Sequence, residues 1–200
     1  FCIKKKKVVL FDTNIKVLDG IRKGKIPFKE ENATSYLKKF KKNIFLSSEI
    51  KILSSCKFII VCIGTPVDKK TLLPELKPFL KFFYNLKNLI SKEQHIIIRS
   101  SVYIGSIKKI IKITNSKNIT YCPERIVQGK SLVELPKLPQ IVSGNSKSSI
   151  NEVVNLFKKI CKKIILTTID EAELIKLFSN AFRYVNFSIA NEFYMICEKL

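Results

Sequence analysis

The sequence contains no tryptophan, one methionine and a single histidine, His95. One imidazole cannot provide the several histidine ligands of most catalytic zinc sites, and the six cysteines include no CxxC pair, so neither a metal site nor a disulfide framework is indicated. Most cysteines lie within or beside apolar runs, where cysteine behaves as a small buried hydrophobic residue. This pattern is typical of a reducing compartment, so we expect a cytoplasmic protein with no metal and no recognisable catalytic thiol.

Long hydrophobic runs are absent as well. No segment reaches the length of a membrane span and no signal peptide precedes the first strand-like run, so we expect no membrane partner. Hydrophobic residues still make up 46% of the 200 residues, enough for one domain core and the start of a second domain. The chain begins with Phe1 and enters a strand-like run at residues 7–11 almost at once, which leads us to expect a fragment.

Acidic residues and arginine are scarce relative to lysine. The chain has 37 basic and 16 acidic residues and a net charge of +21, but only four of the basic residues are arginine. Such a charge would suit nucleic acid. The lysines, however, are spread over polar helix faces such as residues 106–113, without zinc-finger spacing or an RNP-like aromatic cluster. We expect no nucleic-acid partner, and the charge would favour anionic small molecules, including nucleotides.

Short apolar runs alternate with longer periodic segments along the chain. Strands are predicted at residues 7–11, 57–63, 95–99, 118–121, 139–143 and 163–167. Helices are predicted at residues 14–23, 30–41, 74–91, 105–116, 147–161 and 170–198. Strands of continuous Ile/Val character separated by helices indicate an α/β fold with a doubly wound, Rossmann-like parallel sheet. A domain of residues 1–169 is therefore predicted, followed at 170–200 by a helix that is longer than an ordinary domain helix and long enough to bridge two domains.

The last predicted helix carries a polar stripe of Glu173, Lys176 and Asn180 at i, i+3 and i+7. Residues at this spacing share one helix face. The ammonium of Lys176 and the carboxamide of Asn180 are both donors that can stabilise a developing oxyanion. The alternative is an ordinary solvated face of an amphipathic helix.

Several predicted strands end in loops where a sheet of this kind binds its ligands. Asp12 follows the first strand, where an acid can bind the adenosine ribose and disfavour a 2′-phosphate; the alternative is a helix N-cap. Gly64, Thr65 and Pro66 follow the second strand, either as a cofactor contact or as a plain turn. Ser101 follows the third, and its hydroxyl could also be a helix N-cap.

A further loop, residues 121–130, places Glu124 and Arg125 directly after a short strand and ends in Gly129-Lys130. Arg125 could pair with Glu124 or Glu134 on the surface. In a ligand loop, Arg125 and Lys130 would instead meet phosphate or carboxylate groups, and Glu124 would be available for proton transfer.

Together these segments resemble the nucleotide-sugar 6-dehydrogenases of the UDP-glucose/GDP-mannose dehydrogenase superfamily. The matching stretches follow the family's order and spacing over essentially the whole chain: residues 11–14, 17–30, 61–68, 100–105, 122–130, 138–142 and 171–181. The resemblance implies two successive NAD-dependent oxidations of the C6 hydroxymethyl of a UDP-linked hexose or N-acetylhexosamine to a uronate. In the family the aldehyde is held on a cysteine as a thiohemiacetal, oxidised to a thioester and hydrolysed. The Pro-Glu-Arg loop is more similar to the branch that acts on N-acetylhexosamines.

The resemblance also implies roles for individual residues. Lys176 and Asn180 match the pair that binds the C6 oxygen, and Glu124 matches the acid that orients or activates water. Ser101 occupies a position where the family usually has threonine. Because the hydroxyl is kept, the resemblance implies that Ser101 contacts water and the cofactor as that threonine does. The matches to cofactor contacts are Asp12, Gly64, Thr65, Pro66 and Ser101, and those to substrate contacts are Glu124, Arg125, Ile126, Lys130, Lys176 and Asn180.

Two parts of the family pattern have no counterpart in this sequence. The Gly-x-Gly-x-x-Gly turn would precede Phe1, and the Gly-Gly-x-Cys segment with the catalytic cysteine would follow Leu200, so we expect the fragment to be inactive. An intact protein would be a homodimer through the long helix. The alternatives are a 6-phosphogluconate or 3-hydroxyacid type of dehydrogenase, which lacks the Pro-Glu-Arg loop, and a non-catalytic nucleotide-binding relic.

Overall fold

The computed structural model describes residues 1–2, 6–71, 73–126 and 129–199. Its strands are β1 (Val8–Phe11), β2 (Ile44–Ser47), β3 (Phe58–Val61), β4 (His95–Ile98), β5 (Ile119–Tyr121), β6 (Gln140–Gly144) and β7 (Ile164–Leu166). Its α-helices are α1 (Ile15–Arg22), α2 (Ala33–Lys39), α3 (Leu76–Leu86), α4 (Ser106–Thr114), α5 (Ser131–Glu134), α6 (Lys147–Phe157) and α7 (Ile169–Cys197). Two 3₁₀ segments, Lys41–Asn43 and Ile50–Ser55, flank β2.

The strands form two sheets. One contains only the parallel pair β1–β2, and the other has the order β3-β4-β5-β6-β7. All neighbours in the larger sheet are parallel except β5 and β6, which are antiparallel. In the described part of the chain, no strand is hydrogen-bonded to the second edge of β1 or to the outer edge of β3. The smaller sheet contacts helix α3, which packs on the larger sheet, through the stacked rings of Phe11 in β1 and Phe82 in α3, whose centroids are 6.5 Å apart.

Helices cover both faces of the larger sheet. Successive residues of a strand point to opposite faces, so neighbouring residues of one strand pack against different helices. In β4, Ile96 and Ile98 pack in the cluster that contains α3 and α4, whereas Ile97 packs in the cluster that contains α6. All three isoleucines are fully buried. The expected doubly wound α/β fold is confirmed, with a parallel-dominated sheet.

The long helix α7 begins with a capping box. The Thr168 hydroxyl accepts a hydrogen bond from the Glu171 amide, and the Glu171 carboxylate accepts one from the Thr168 amide. Of its residues only Ala172 and Glu173, at the end of the first turn, are buried. Large apolar side chains further along are exposed: Phe178, Phe182, Tyr184, Val185, Phe187, Ile189, Phe193, Tyr194, Met195 and Ile196. No helix among the described residues has both the length and the apolar character needed to cross a membrane.

Candidate functional site

The candidate residues lie where the strands of the larger sheet end. Thr65 comes shortly after β3, Ser101 after β4 and Glu124 after β5. The Thr65 hydroxyl donates a hydrogen bond to the backbone carbonyl of Ser101, so the first two loops are joined. Ser101 is not the N-cap of α4; that position is Gly105. The N-cap alternative for Ser101 is therefore wrong, and its hydroxyl is not used to begin the helix.

The Glu124 carboxylate is held on both of its oxygens. Oε1 accepts hydrogen bonds from the amides of Arg125, at 2.8 Å, and Ile126, at 3.0 Å, while Oε2 pairs with the guanidinium of Arg99. A carboxylate oxygen can accept two hydrogen bonds. With respect to the described residues, Oε2 therefore keeps one acceptor position, which is what a carboxylate needs to orient a water molecule.

Arg99 is the residue of this site that sequence analysis did not select. It follows β4, is only 9% exposed, donates to Gln140 Oε1 at 2.8 Å and stacks over the Phe157 ring with its Cζ 5.1 Å from the centroid. A guanidinium can make these planar contacts and a carboxylate contact at the same time, which a lysine ammonium cannot. One feature of the sequence could have identified Arg99: it is an arginine at the end of a buried strand, in a chain whose basic residues are otherwise almost all lysine.

Lys176 reaches this cluster from α7. Its ammonium donates to the backbone carbonyl of Glu124. Burial lowers the pKa of Lys176, with a smaller contribution from Arg183, and the carboxylate of Glu124 acts in the opposite direction. Lys176 is thus half-buried above the loop that follows β5, which contradicts the alternative of a fully solvated helix face.

The other two residues of the polar stripe on α7, Glu173 and Asn180, have different surroundings. Glu173 is fully buried and accepts hydrogen bonds from the amides of Gly105, at 2.7 Å, and Ile107, at 2.9 Å, at the beginning of α4. This contact fixes α7 against the loop that carries Ser101. Asn180 is partly buried, and its carboxamide has no hydrogen-bond partner among the described residues. It therefore remains available to a ligand.

The remaining residues of the predicted substrate loop face in different directions. The Arg125 guanidinium donates to the Pro139 carbonyl at 2.8 Å, which ties this loop to the segment before β6 instead of pairing with Glu124. The Ile126 amide donates a hydrogen bond to the Glu124 carboxylate, and the Lys130 side chain is exposed. Val127 and Gln128 belong to the same loop and lie outside the described residues.

Asp12 lies on the smaller sheet, directly after β1, and is exposed. Its Oδ1 accepts a hydrogen bond from the Asn14 amide at 2.8 Å, and Asn14 rather than Asp12 is the N-cap of α1. The N-cap alternative for Asp12 is therefore wrong. Gly64 and Pro66 are exposed beyond β3, and a Cβ added at Gly64 would meet no atom within 4 Å.

These residues fit an NAD cofactor by their chemistry. A dinucleotide presents ribose hydroxyls and a pyrophosphate. Asp12 offers a carboxylate for ribose hydroxyls, Thr65 and Ser101 are hydroxyl residues, and the backbone at Gly64 is open to close approach. All of them lie beyond the carboxyl ends of parallel strands, where such folds bind nucleotides.

The cysteines close to Arg99 contribute no thiolate to this arrangement. All six are unpaired. Burial raises the pKa of the Cys122 thiol to about 12, and it also raises the pKa values of Cys62 and Cys161, against the opposing effect of Arg99. These thiols are therefore protonated at neutral pH.

Comparison with known proteins agrees with this arrangement. Residues 1–162 match the model of the UDP-glucose/GDP-mannose dehydrogenase family NAD binding domain, and residues 170–200 match the family's central domain. The first match confirms NAD as the expected cofactor. Among curated relatives, a UDP-N-acetyl-D-mannosamine dehydrogenase of Methanococcus vannielii is 29% identical over 96% of this chain and 46% of its own length. One of Escherichia coli is 26% identical over 98% of this chain and 50% of its own length.

Solved structures show the same fold. A UDP-D-ManNAc dehydrogenase of Pyrococcus horikoshii superposes with a TM-score of 0.88 at 24% identity, covering 98% of this chain and 49% of that one. A GDP-mannose dehydrogenase of Pseudomonas aeruginosa, solved as a ternary complex, superposes with a TM-score of 0.85 at 19% identity, covering 96% of this chain and 48% of that one. The chain thus spans about half the length of the curated relatives it matches. With the family model matched over residues 1–162, the chain belongs to the UDP-glucose/GDP-mannose dehydrogenase family.

Proposed function

We propose that this chain belongs to an enzyme that oxidises the C6 hydroxymethyl of a UDP-linked hexose or N-acetylhexosamine to a carboxylate. Overall, the alcohol, one water molecule and two NAD⁺ would give the uronate, two NADH and three protons. The UDP-N-acetyl-D-mannosamine dehydrogenases among the relatives favour an N-acetylhexosamine. NAD supplies the hydride acceptor for both oxidations.

The observation that carries this proposal is the contact between Lys176 and Glu124. A cation on α7 lies beside a carboxylate-bearing loop at the carboxyl edge of the sheet, with the Asn180 carboxamide one turn further along the helix. Two donors on one rigid helix can bind a single oxygen whose negative charge grows as the hydroxyl proton leaves. Glu124 keeps one acceptor position for the water that the second oxidation consumes.

Other residues would bind the two ligands. Asp12, Gly64, Thr65, Pro66 and Ser101 would contact NAD. The substrate would be held by Lys176 and Asn180 at C6 and by the loop residues Glu124, Arg125, Ile126 and Lys130. The remaining donors of Arg125 and the exposed ammonium of Lys130 suit phosphate oxygens.

Three further features belong to this proposal. Residues 1–169 form the NAD-binding domain and 170–200 begin a helical middle domain, in agreement with the ranges that the two family models match. The exposed apolar face of α7 would join two copies in a homodimer. The protein would act in the cytoplasm in polysaccharide biosynthesis.

Turnover by the full-length gene product tests the proposal. Incubation with NAD⁺ and UDP-N-acetylmannosamine or UDP-glucose should produce two NADH per uronate formed. The Lys176→Ala variant should lower kcat by about 10²–10³, because removal of one oxyanion donor has effects of this order. Asn180→Ala should act in the same direction, and the double variant should be less than additive because both residues act on one oxygen.

Lys162→Ala is the matched control, since Lys162 is exposed and lies outside the site. Folding of Lys176→Ala should be little affected, because alanine is the best helix former. Equal and small effects of the two lysine variants would contradict the role of Lys176. A wild-type product that reduces NAD⁺ with 6-phosphogluconate or a 3-hydroxyacid instead would favour the alternative dehydrogenase class.

A further inference from the structure

Glu30, in the loop between α1 and α2, makes a contact with a distant part of the chain. Its carboxylate accepts hydrogen bonds from the amide of Gly129 at 3.0 Å, the amide of Ser131 at 2.7 Å and the hydroxyl of Ser131 at 2.7 Å. The neighbouring Glu31 amide donates to the Gly129 carbonyl at 3.3 Å. Two loops about one hundred residues apart in sequence are therefore joined by four hydrogen bonds.

The two amides that Glu30 binds flank Lys130 on either side. Gly129 has a φ of +95°, in the region that favours glycine, so the chain turns sharply just before Lys130. The peptide group before Lys130 is held at its Gly129 carbonyl by the Glu31 amide, and the peptide group after it is held at its Ser131 amide by the Glu30 carboxylate. Fixing both peptide groups also fixes the direction in which the Lys130 Cα–Cβ bond points. The exposed side chain of Lys130 therefore leaves the backbone in a fixed direction.

Charge reinforces this contact. The Ser131 hydroxyl, together with the backbone amides of Gly129, Ser131 and Leu132, lowers the pKa of Glu30. The carboxylate is therefore ionised at neutral pH, and charge-assisted hydrogen bonds of this kind are stronger than neutral ones. A glutamine in its place would direct its NH₂ group toward amides and a hydroxyl that are themselves donors, so part of the contact would be lost.

We propose that Glu30 is a positioning residue that holds Lys130 toward the phosphate groups of the nucleotide sugar. The inference rests on the proposed function, because it takes its ligand from there. Glu30 does not touch the ligand; it acts through the backbone on both sides of Lys130. Binding of the substrate, rather than the chemical step, is therefore what depends on it.

Steady-state kinetics of the full-length gene product with a UDP-sugar test this role. Glu30→Gln should raise the KM for the UDP-sugar about tenfold and leave kcat within about twofold, the pattern of an interaction made equally in the ground and transition states. Ser131→Ala keeps both backbone amides and should raise KM by a smaller factor, about two- to threefold. It remains informative if the glutamine variant fails to fold.

Glu31→Gln is the matched control, since Glu31 is the exposed neighbour whose amide, not its carboxylate, makes the contact. It should leave KM unchanged. The decisive measurement is the combination with Lys130→Ala: once the ammonium is gone, Glu30→Gln should raise KM further by less than about twofold.

Two results would overturn the inference alone: an unchanged KM in Glu30→Gln, or fully additive effects of Glu30→Gln and Lys130→Ala. The first of these results holds even if kcat falls, since a loosened fold rather than a lost phosphate contact would then be the cause. A wild-type product that neither turns over UDP-sugars nor binds UDP would overturn the proposed function, and the ligand of Lys130 with it.

Discussion

At the scale of single residues, the site depends on whether arginine or lysine occupies a given position. The chain uses lysine for nearly all of its positive charge, yet Arg99 is an arginine at the one place where a buried cation meets Gln140, Glu124 and an aromatic ring. A planar guanidinium satisfies all three because its donors lie in a fixed fork and its face is weakly hydrated. A lysine there would leave part of this polar cluster without a partner.

We expect Arg99→Lys to lower the free energy of unfolding by about 1–3 kcal/mol, the cost of leaving a buried polar group without its hydrogen bond. The effect is moderated because the Glu124 side chain is 37% exposed. Denaturant titration would measure it. Arg22→Lys is the control, because Arg22 and its partner Asp19 are both largely exposed, and a change within about 0.5 kcal/mol is expected. Equal effects of the two substitutions would contradict the account.

The sequence was informative about residues whose role follows from local spacing. Helical spacing placed Lys176 on a functional face, and the structure brings it to Glu124. The same spacing put Glu173 on that face, whereas it is buried against the beginning of α4. The partners of Glu173, Arg99 and Glu30 are 25 to about 100 residues away, so no local pattern could have revealed them.

At the scale of secondary-structure elements, the antiparallel strand β6 requires a close approach to β5. A Cβ added at Gly144 would lie 2.9 Å from Thr120 Cγ2, 3.0 Å from the Ile119 carbonyl oxygen and 3.1 Å from Ile150 Cγ1. The carbonyl belongs to the hydrogen-bonded strand and cannot move aside freely. Glycine at this position is therefore a requirement of strand packing.

Gly144→Ala should destabilise the protein by about 1–3 kcal/mol, the usual cost of overpacking. The comparison is Gly64→Ala, where an added Cβ meets no atom within 4 Å. It should leave stability nearly unchanged and, if Gly64 contacts NAD, weaken NAD binding. Thermal denaturation and NAD titration of both variants would separate the two roles, and a stable Gly144→Ala protein would contradict the packing argument.

The capping box at the start of α7 predicts a pH dependence. The hydroxyl of Thr167, followed by the amide and hydroxyl of Thr168, lowers the pKa of Glu171 from 4.5 to about 2. A lowered pKa means that the carboxylate stabilises the fold above about pH 4.5 and that this stabilisation disappears as the pH falls toward 2. The difference in Tm between the wild type and Glu171→Gln should therefore be constant above pH 5 and shrink below it. A Tm difference that stays constant as the pH falls from 5 toward 2 would contradict this account.

Most elements were predictable from the sequence, including the three-residue strands β5 and β7, which lie within the predicted strands at 118–121 and 163–167. The prediction of a helix at 170–198 agrees with α7 within one residue at each end. Strand β2, Ile44–Ser47, was missed because its extended form is imposed by pairing with β1, which no local pattern shows. The antiparallel direction of β6 was also hidden, since alternation in a sequence does not specify strand direction.

At the scale of the whole molecule, α7 projects an apolar surface that the rest of the described chain does not cover. Phe182 is 72% exposed and Phe187 is 64% exposed, on a helix whose buried residues lie only in its first turn. Contiguous exposed apolar surface of this kind marks interaction sites. This agrees with the proposed homodimer.

Phe182→Glu should shift the full-length gene product from dimer to monomer, because a charge in an apolar interface loses its hydration without gaining a partner. Sedimentation velocity would measure the change. Lys162→Glu, a charge change on the exposed surface before β7, should not alter the oligomeric state. A wild-type protein that sediments as a monomer at micromolar concentration would contradict the homodimer directly.

The division into two sheets has a consequence for how the molecule opens. Among the described residues, the ladder of four residue pairs between β1 and β2 shares no backbone hydrogen bond with the larger sheet, so it can separate from that sheet without breaking it. Amides of β1 and β2 should then exchange with deuterium through local opening, and those of β4 only through global unfolding. Asp12 and Glu30 both belong to this smaller unit. A nucleotide bound at Asp12 would hold the unit closed and keep the Lys130 loop anchored, and by reciprocity the sugar nucleotide would tighten the binding of NAD.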